Sequence, residues 1–430
     1  MAGQLRGGLC GFSGGGVTAP APTVTSLEIM PAYGQSENRR KVDPVLADLI
    51  LAGQSAQAYV LDGMRTVAGT AIGVNGAGTT AIDQNVPATG LAGFTSPDVA
   101  PSFTALMARA ARWRDAGQGQ RGVIIGDNGF GGQLIDAWDI NNPTNPVGRN
   151  QLYWMREAKR LADSMQIGLS CPYVWLFQGT SAKDDPGADY RARFDTAHGQ
   201  TLAQAESLFG ARPRLIVVVN GGDVNTIGDL YATPATQYRI GLDYDGIIAT
   251  WQRAYPIEDR NIHINGQAQL LIGETAEWAM AETEAGHAWN ITYQVVKSGA
   301  QVIVGFDLRP GETLLNRAGL YDSFGGAATC PHYGFEADGG IVGVQPDLQG
   351  DSVTITLANP AAGWLRFAHQ VQDCAAMADT AGMTMSAHRT TLFGSHSRAS
   401  RYLPGETLWR PLPGFRGTFQ GDIFRPEDGT

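Results

Sequence analysis

The sequence predicts an α/β domain built on a parallel sheet, followed by a region made only of strands. Three observations carry that expectation. Apolar runs alternate with runs of helical periodicity through roughly the first two-thirds of the chain. The run Arg214-Leu215-Ile216-Val217-Val218-Val219 is apolar almost throughout, as a strand buried on both faces should be. Beyond about Gly286 the pattern changes to short runs separated by Gly, Pro or Asp, and Val353-Thr354-Ile355-Thr356-Leu357 alternates strictly.

In order, residues 27–32 read as a first strand, followed by a Gly-Gln-Ser loop. Residues 45–52 read as a short helix and 80–101, rich in Gly, Thr, Pro and Asp, as a long surface loop. Residues 102–116 read as a helix with an Ala/Leu/Met face, and 122–126 as a short strand ending in a Gly-rich loop. Residues 151–165 form a helix pattern in which Leu152, Met155, Ala158, Leu161 and Ala162 share one side. Residues 167–177 are strand-like, 189–209 a long helix, 214–219 a buried strand, 242–255 a helix and 266–284 the last helix. Residues 290–296, 301–306, 341–344, 352–357 and 364–368 read as strands of a β-sandwich. The expected organisation is therefore a Gly-rich arm over 1–24, an α/β domain over 25–286 and a β-sandwich over 287–430, a normal domain size.

Composition narrows the function. Of the 430 residues 43% are hydrophobic and 17% charged, against about 25% charged in an average protein. The net charge of −10 argues against a non-specific nucleic-acid binder, which needs a basic surface, and leaves a neutral or acetylated glycan as a partner. Cys10, Cys171, Cys330 and Cys374 make no Cys-x-x-Cys pair and have no metal-ligand spacing with histidine, so neither a metal nor another cofactor is expected. They read as buried or free thiols, with a Cys330–Cys374 bridge as the other reading. No uncharged stretch approaches the length of a membrane helix. Residues 1–22 contain no apolar core segment, so no secretory signal is expected there. Their glycines at 3, 7, 8, 11, 14, 15 and 16 suit a tail, or an arm that orders on a partner.

The chemistry-bearing pattern begins at Gly34-Gln35-Ser36-Glu37. A serine on the turn after a first strand stands at the carboxyl edge of the sheet, where ligands bind. Ester cleavage by serine needs a base, a group that orients the base, and donors for the oxyanion. Of seven histidines, His263 has the best placement for the base: it precedes the last α/β helix, whereas His198 lies inside a helix and His287, His332, His369, His388 and His396 lie in or beside the second region. Oxyanion donors fit two Gly-containing loops, one around Gly131-Gly132-Gln133 and one at Gln178-Gly179-Thr180, where a glutamine amide can donate.

Taken together, these four blocks resemble the SGNH (GDSL-like) hydrolases, and within them the sialate O-acetylesterase-like carbohydrate esterases. Gly34-Gln35-Ser36-Glu37 resembles the first block, Gly131-Gly132-Gln133 with Trp138 the second, residues 175–180 the third, and residues 259–263 the fourth. The resemblance covers about residues 25–285. It implies a flavodoxin-like three-layer fold, Ser36 as nucleophile, His263 as base, and the Ser36 N–H, a backbone N–H near Gly131 and the Gln178 amide as oxyanion donors. The chain departs from the family at three places. Glu37 takes the position of the usual Asn, with Asn38 one place later; Thr180 replaces a Glu; and the acid stands at Asp259, four residues before His263, with Glu258 in reserve. Residues 334–336, 353–357 and 365–368 loosely resemble β-sandwich modules of phage-associated SGNH proteins, and Trp364, Trp409 and Phe415 are aromatic candidates for a glycan site.

The expected function is removal of O-acetyl groups from a carbohydrate or capsular polysaccharide. The alternative is a glycan-binding spike or fibre component of a phage-like particle, attached through the N-terminal arm, with weak or no catalysis. On that alternative the protein sits on the virion surface. Both readings admit a homo-oligomer.

Overall fold

A computed structural model of the chain describes residues 24–34, 38, 48–50, 57–72, 77, 79–95, 100–126, 130–182, 185–221, 232–255, 257–258, 263–264, 266–317, 331–368, 377–378, 384–385 and 390–427. The Gly-rich arm, Ser36, Glu37, Asp259, Cys10, Cys330, Cys374, His369 and His388 lie outside the described residues.

The first part of the chain gives β1 (Ser26–Ile29), β2 (Ala32–Gly34), β3 (Ala58–Asp62), β4 (Gly90–Gly93), α1 (Pro101–Asp115), β5 (Arg121–Ile124), α2 (Val147–Ser164), β6 (Gly168–Ser170), β7 (Tyr173–Phe177), α3 (Gly187–Phe209), β8 (Arg214–Val219), α4 (Ala232–Asp243), β9 (Ile247–Trp251), β10 (Ile257–Glu258), β11 (His263–Ile264) and α5 (Gly266–Glu284). Two sheets run in the orders β4-β3-β5-β1-β6 and β2-β7-β8-β9. They are joined because β1 continues into β2, and β6 into β7, across Met30-Pro31 and Cys171-Pro172. Each proline lacks the N–H its ladder needs. The carbonyls stay engaged: Pro31 O accepts from Trp175 N at 2.9 Å and Pro172 O from Arg214 N at 2.8 Å. The residues 167–177 expected as one strand are therefore two.

Within these two sheets all pairings are parallel except β3–β4. The strand order reverses at β1–β2, which has β5 on one side and β6–β7 on the other. Alternation along the buried strands sends Trp175, Phe177, Ile216 and Val218 to the face covered by α1 and α5. It sends Val174, Leu176, Val217 and Val219 to the opposite face, where Tyr190 and Phe194 of α3 and Ile240 of α4 pack.

Two further sequence expectations about elements are corrected. Residues 242–255 are not a helix: α4 ends at Asp243 and β9 follows. Asp245 takes a φ of 48° and Gly246 sits where a Cβ would stand 3.0 Å from Leu215 O, so the chain turns sharply into the parallel ladder with β8. The segment 80–101 is more than loop, because it contributes β4 to the sheet edge and is pinned to α2. Glu157 Oε2 accepts from Ala88 N at 2.8 Å and Asn150 Oδ1 from Ile82 N at 3.0 Å.

After α5 every longer element among the described residues is a strand: β12 (Tyr293–Ser298), β13 (Gln301–Phe306), β14 (Leu314–Asn316), β15 (Phe335–Ala337), β16 (Ile341–Pro346), β17 (Ser352–Leu357), β18 (Trp364–Phe367), β19 (Met377–Ala378), β20 (Thr384–Met385), β21 (Leu392–Ala399), β22 (Thr407–Pro411), β23 (Phe415–Gln420) and β24 (Ile423–Pro426). The sheets β12-β13-β17-β16 and β15-β18-β23-β24 are antiparallel. Their apolar residues share one cluster containing Val302, Val304, Phe306, Val353, Ile355, Phe335, Phe367 and Phe415. Phe415 is fully buried there and is removed as a glycan-lining candidate. Trp364 and Trp409 are half-buried, each under an arginine, Arg366 and Arg317 respectively.

Candidate functional site

The carboxyl ends of β2 and β7 lie side by side, with Gly34 paired to Phe177. This is where the strand order reverses, the place at which an open α/β sheet leaves a crevice for a ligand. Residues 35–37 follow Gly34 directly, and Gln178 follows Phe177.

The loop after β5 closes onto this edge. Phe130 N donates to Gly34 O at 2.8 Å, which carries Gly131 to the end of β2. Gly132 takes a φ of 72°, a left-handed turn that glycine permits without strain. Gln133 then ties the two expected oxyanion loops together. Its carbonyl accepts from Gln178 Nε2 at 2.9 Å, and its Oε1 accepts from Asn145 Nδ2 at 2.6 Å. Trp138 has a structural part: it is fully buried and its Nε1 donates to Ala32 O at 3.0 Å, fixing β2 from below.

Gln178 is fully buried. Its Nε2 faces Gln133 O, which assigns the amide orientation, and its Oε1 has no hydrogen-bond partner. An unsatisfied buried acceptor costs about 1–3 kcal/mol. Thr180, where the resemblance has an acid, instead meets Asn220: Asn220 Nδ2 donates to Thr180 Oγ1 at 3.1 Å.

Asn38, one place beyond the expected asparagine, is fully buried. Its Nδ2 donates to Ser102 Oγ at 3.0 Å and its Oδ1 accepts from Ser102 N at 3.3 Å. Ser102 is in the first turn of α1, whose N-cap residue, Ala100, supplies no side-chain cap. Asn38 therefore satisfies one of the orphan helix donors. It also needs Gly34, because a Cβ at 34 would lie 2.7 Å from its side chain.

His263 lies on β11, paired antiparallel to β10 with His263 opposite Glu258. His198, excluded from the site by sequence, is buried on α3. Its Nδ1 is 3.2 Å from Tyr33 Oη, and burial holds its pKa down at about 4. Cys171 is a buried free thiol whose pKa burial pushes up. Among the described residues no group of His, Cys, Asp or Glu is arranged to hold a metal ion, and no helix is long and apolar enough to cross a membrane.

A cleft of about 810 Å³ opens at the other end of α5, bordered by Glu282, His287, Arg309, Glu312, His396 and Arg410. Glu282 is sixteen residues from the start of α5, so the cleft stands about 24 Å along the helix from β11. Its charges are spent on one another. Arg309 Nη1 meets Glu282 at 2.7 Å, His287 Nδ1 meets Glu282 at 2.9 Å, and Arg410 pairs with Glu312. It joins α5 to the strand-rich region and holds none of the expected site residues.

Sequence reasoning missed Asn38 as an anchor, and missed Gln237 and Gln252 altogether. Gln237 Oε1 accepts from Asn220 N at 2.8 Å and Gln252 Oε1 from Gly221 N at 2.6 Å, both just past the end of β8. No local signal marks them, since each acts on backbone brought near only by the fold.

No protein-family model matches the chain, and no curated protein sequence matches it significantly. Among solved structures it is similar to a carbohydrate acetylesterase from Xanthomonas citri, with 16% identity over 86% of this chain and 80% of that one and a TM-score of 0.52. Two others are a protein from Arabidopsis thaliana (14% identity, 60% of this chain, 98% of that one, TM-score 0.39) and NanS (12%, 62%, 100%, TM-score 0.41). At those scores the last two carry no argument, and the first is a likeness of fold: an α/β part with a parallel sheet, accompanied by antiparallel sheets.

Proposed function

We propose that the chain is a serine esterase of the SGNH type that removes O-acetyl groups from a carbohydrate. Ser36 attacks the acetyl carbonyl while His263 takes its proton. The tetrahedral oxyanion is held by the Ser36 N–H, the Gly131 N–H and the Gln178 amide. Collapse expels the sugar hydroxyl, protonated by His263, and leaves an acetyl-serine. Water, deprotonated by His263, then releases acetate. The reaction needs no metal and no cofactor.

The observation that carries this reading is the placement on one sheet edge of Gly34, Gly131 and Gln178, with the Gln178 Nε2 held by Gln133 O. The acetylesterase with a similar fold supports the substrate class. Glu258, opposite His263 in the ladder, is the acid favoured by backbone register over Asp259. The domain limits at 24 and 286 are proposed with it.

The test is hydrolysis of p-nitrophenyl acetate and of an acetylated oligosaccharide by the protein and by Ser36→Ala. Loss of turnover on the order of 10³-fold or more in the variant supports the reading. Equal rates refute it.

A further inference from the structure

We propose that Gln237 is a positioning residue for the esterase site, acting through Gln178. The inference rests on the esterase reading and adds to it a residue that no motif contains.

Gln237 lies on α4 and is fully buried. Its amide bridges the ends of two adjacent strands at the crevice. The Nε2 donates to Gln178 O, the first carbonyl past β7, and to Tyr190 Oη at 2.9 Å. The Oε1 accepts from Asn220 N, the first amide past β8, at 2.8 Å. Both Nε2 hydrogens and the Oε1 are thereby used, and the orientation is dictated at each end by a backbone group that can play only one role.

The residue after Gln178 shows how tightly the amide closes on this turn. Gly179 takes a φ of +148°, and a Cβ there would lie 2.8 Å from Gln237 Nε2, 3.0 Å from Thr233 Cγ2 and 3.1 Å from Asn220 Cβ. Gln237 thus sits where a side chain at 179 would, against the backbone of the turn that aims the Gln178 side chain. At a carboxyl edge these strand-end groups would ordinarily be met by water. A buried amide replaces that mobile partner with a fixed one. An oxyanion donor works by being aimed before charge develops, so fixing the Gln178 backbone lowers the barrier without touching the substrate.

The prediction is non-additivity. With p-nitrophenyl acetate, Gln178→Ala should lower kcat by about 10²-fold. Gln237→Met should lower kcat about tenfold with KM within about twofold, and the double variant should fall no further than Gln178→Ala, since both changes remove one device. Gln237→Glu keeps the acceptor for Asn220 N but sets a carboxylate against Gln178 O. Its kcat relative to the unchanged protein should recover as pH falls and the carboxyl regains a proton to donate. A Gln237→Met rate within twofold of the unchanged protein, effects that multiply in the double variant, or a flat Gln237→Glu ratio across pH would each overturn the proposal. If Gln237→Met fails to fold, the Gln237→Glu pH ratio decides alone. Activity surviving in Ser36→Ala would instead refute the esterase reading.

Discussion

Asn38 Nδ2 donates to Ser102 Oγ at 3.0 Å, linking the segment just after β2 to the first turn of α1. The bond holds Asn38 against α1, and Gly34 leaves the space for it. Asn38→Ala should cost about 1–3 kcal/mol in urea unfolding, because Ser102 N and Oγ lose buried partners. Asn38→Asp keeps the acceptor for Ser102 N and should cost less. If Ser36 is the nucleophile, kcat in Asn38→Ala should fall at temperatures where the variant remains folded. Unchanged stability and unchanged kcat would show that the link is dispensable.

The proposed choice of Glu258 over Asp259 also has a direct test. Glu258 is opposite His263 in the β10–β11 ladder. Glu258→Gln should therefore lower kcat/KM by about 10²-fold or more, with a smaller loss in Asp259→Asn. The reverse order would return the orienting part to Asp259.

The parts of the fold legible from sequence are those whose signal is local. The Arg214–Val219 strand and the Gly266–Glu284 helix are bounded by their own residues, and the structure gives the expected limits. Residues 247–251 were hidden because Ile-Ile-Ala-Thr-Trp is apolar apart from Thr250, and a fully buried strand has no period to distinguish it from a buried helix. Only the turn at Asp245-Gly246, a tertiary demand, separates the two. The site divides in the same way. Gly131 and Gln178 stand on Gly-containing turns that sequence can flag. Gln237 and Gln252 are glutamines that become specific only when β7, β8 and α4 assemble around them.

His198 gives the protein a built-in acid sensitivity. Buried on α3 against Tyr33, Phe194 and Tyr244, it has a folded pKa of about 4, below its ordinary 6.5. As pH falls below 6.5 the unfolded chain takes up a proton that the folded chain refuses. The stabilisation is therefore complete above pH 6.5 and is lost as pH falls toward 4. Between pH 7.5 and 4.5 this amounts to about 2–3 kcal/mol. Urea titrations at those two pH values should show a drop larger by that amount than in His198→Gln. Equal drops would mean that His198 is protonated in the folded protein.

Arg109 presents the converse case, a buried charge kept ionised by its partners. Its side chain is 2% exposed, its Nε meets Glu28 at 2.7 Å and its Nη2 meets Glu284 at 2.5 Å, joining α1 to both β1 and α5. Burial works against the guanidinium charge, yet Glu28 and Glu284 outweigh it and hold the pKa above its ordinary value. Arg109→Met should destabilise by about 3–5 kcal/mol, because it strands the Glu28 carboxylate, which is left with only the half-exposed Arg121 at 2.8 Å. Removing both charges in Glu28→Leu/Arg109→Met should restore much of that loss, since two apolar side chains leave no charge buried. Urea midpoints for the two variants decide the matter: a double variant no more stable than Arg109→Met would show that the loss comes from packing around the guanidinium rather than from the uncompensated carboxylate.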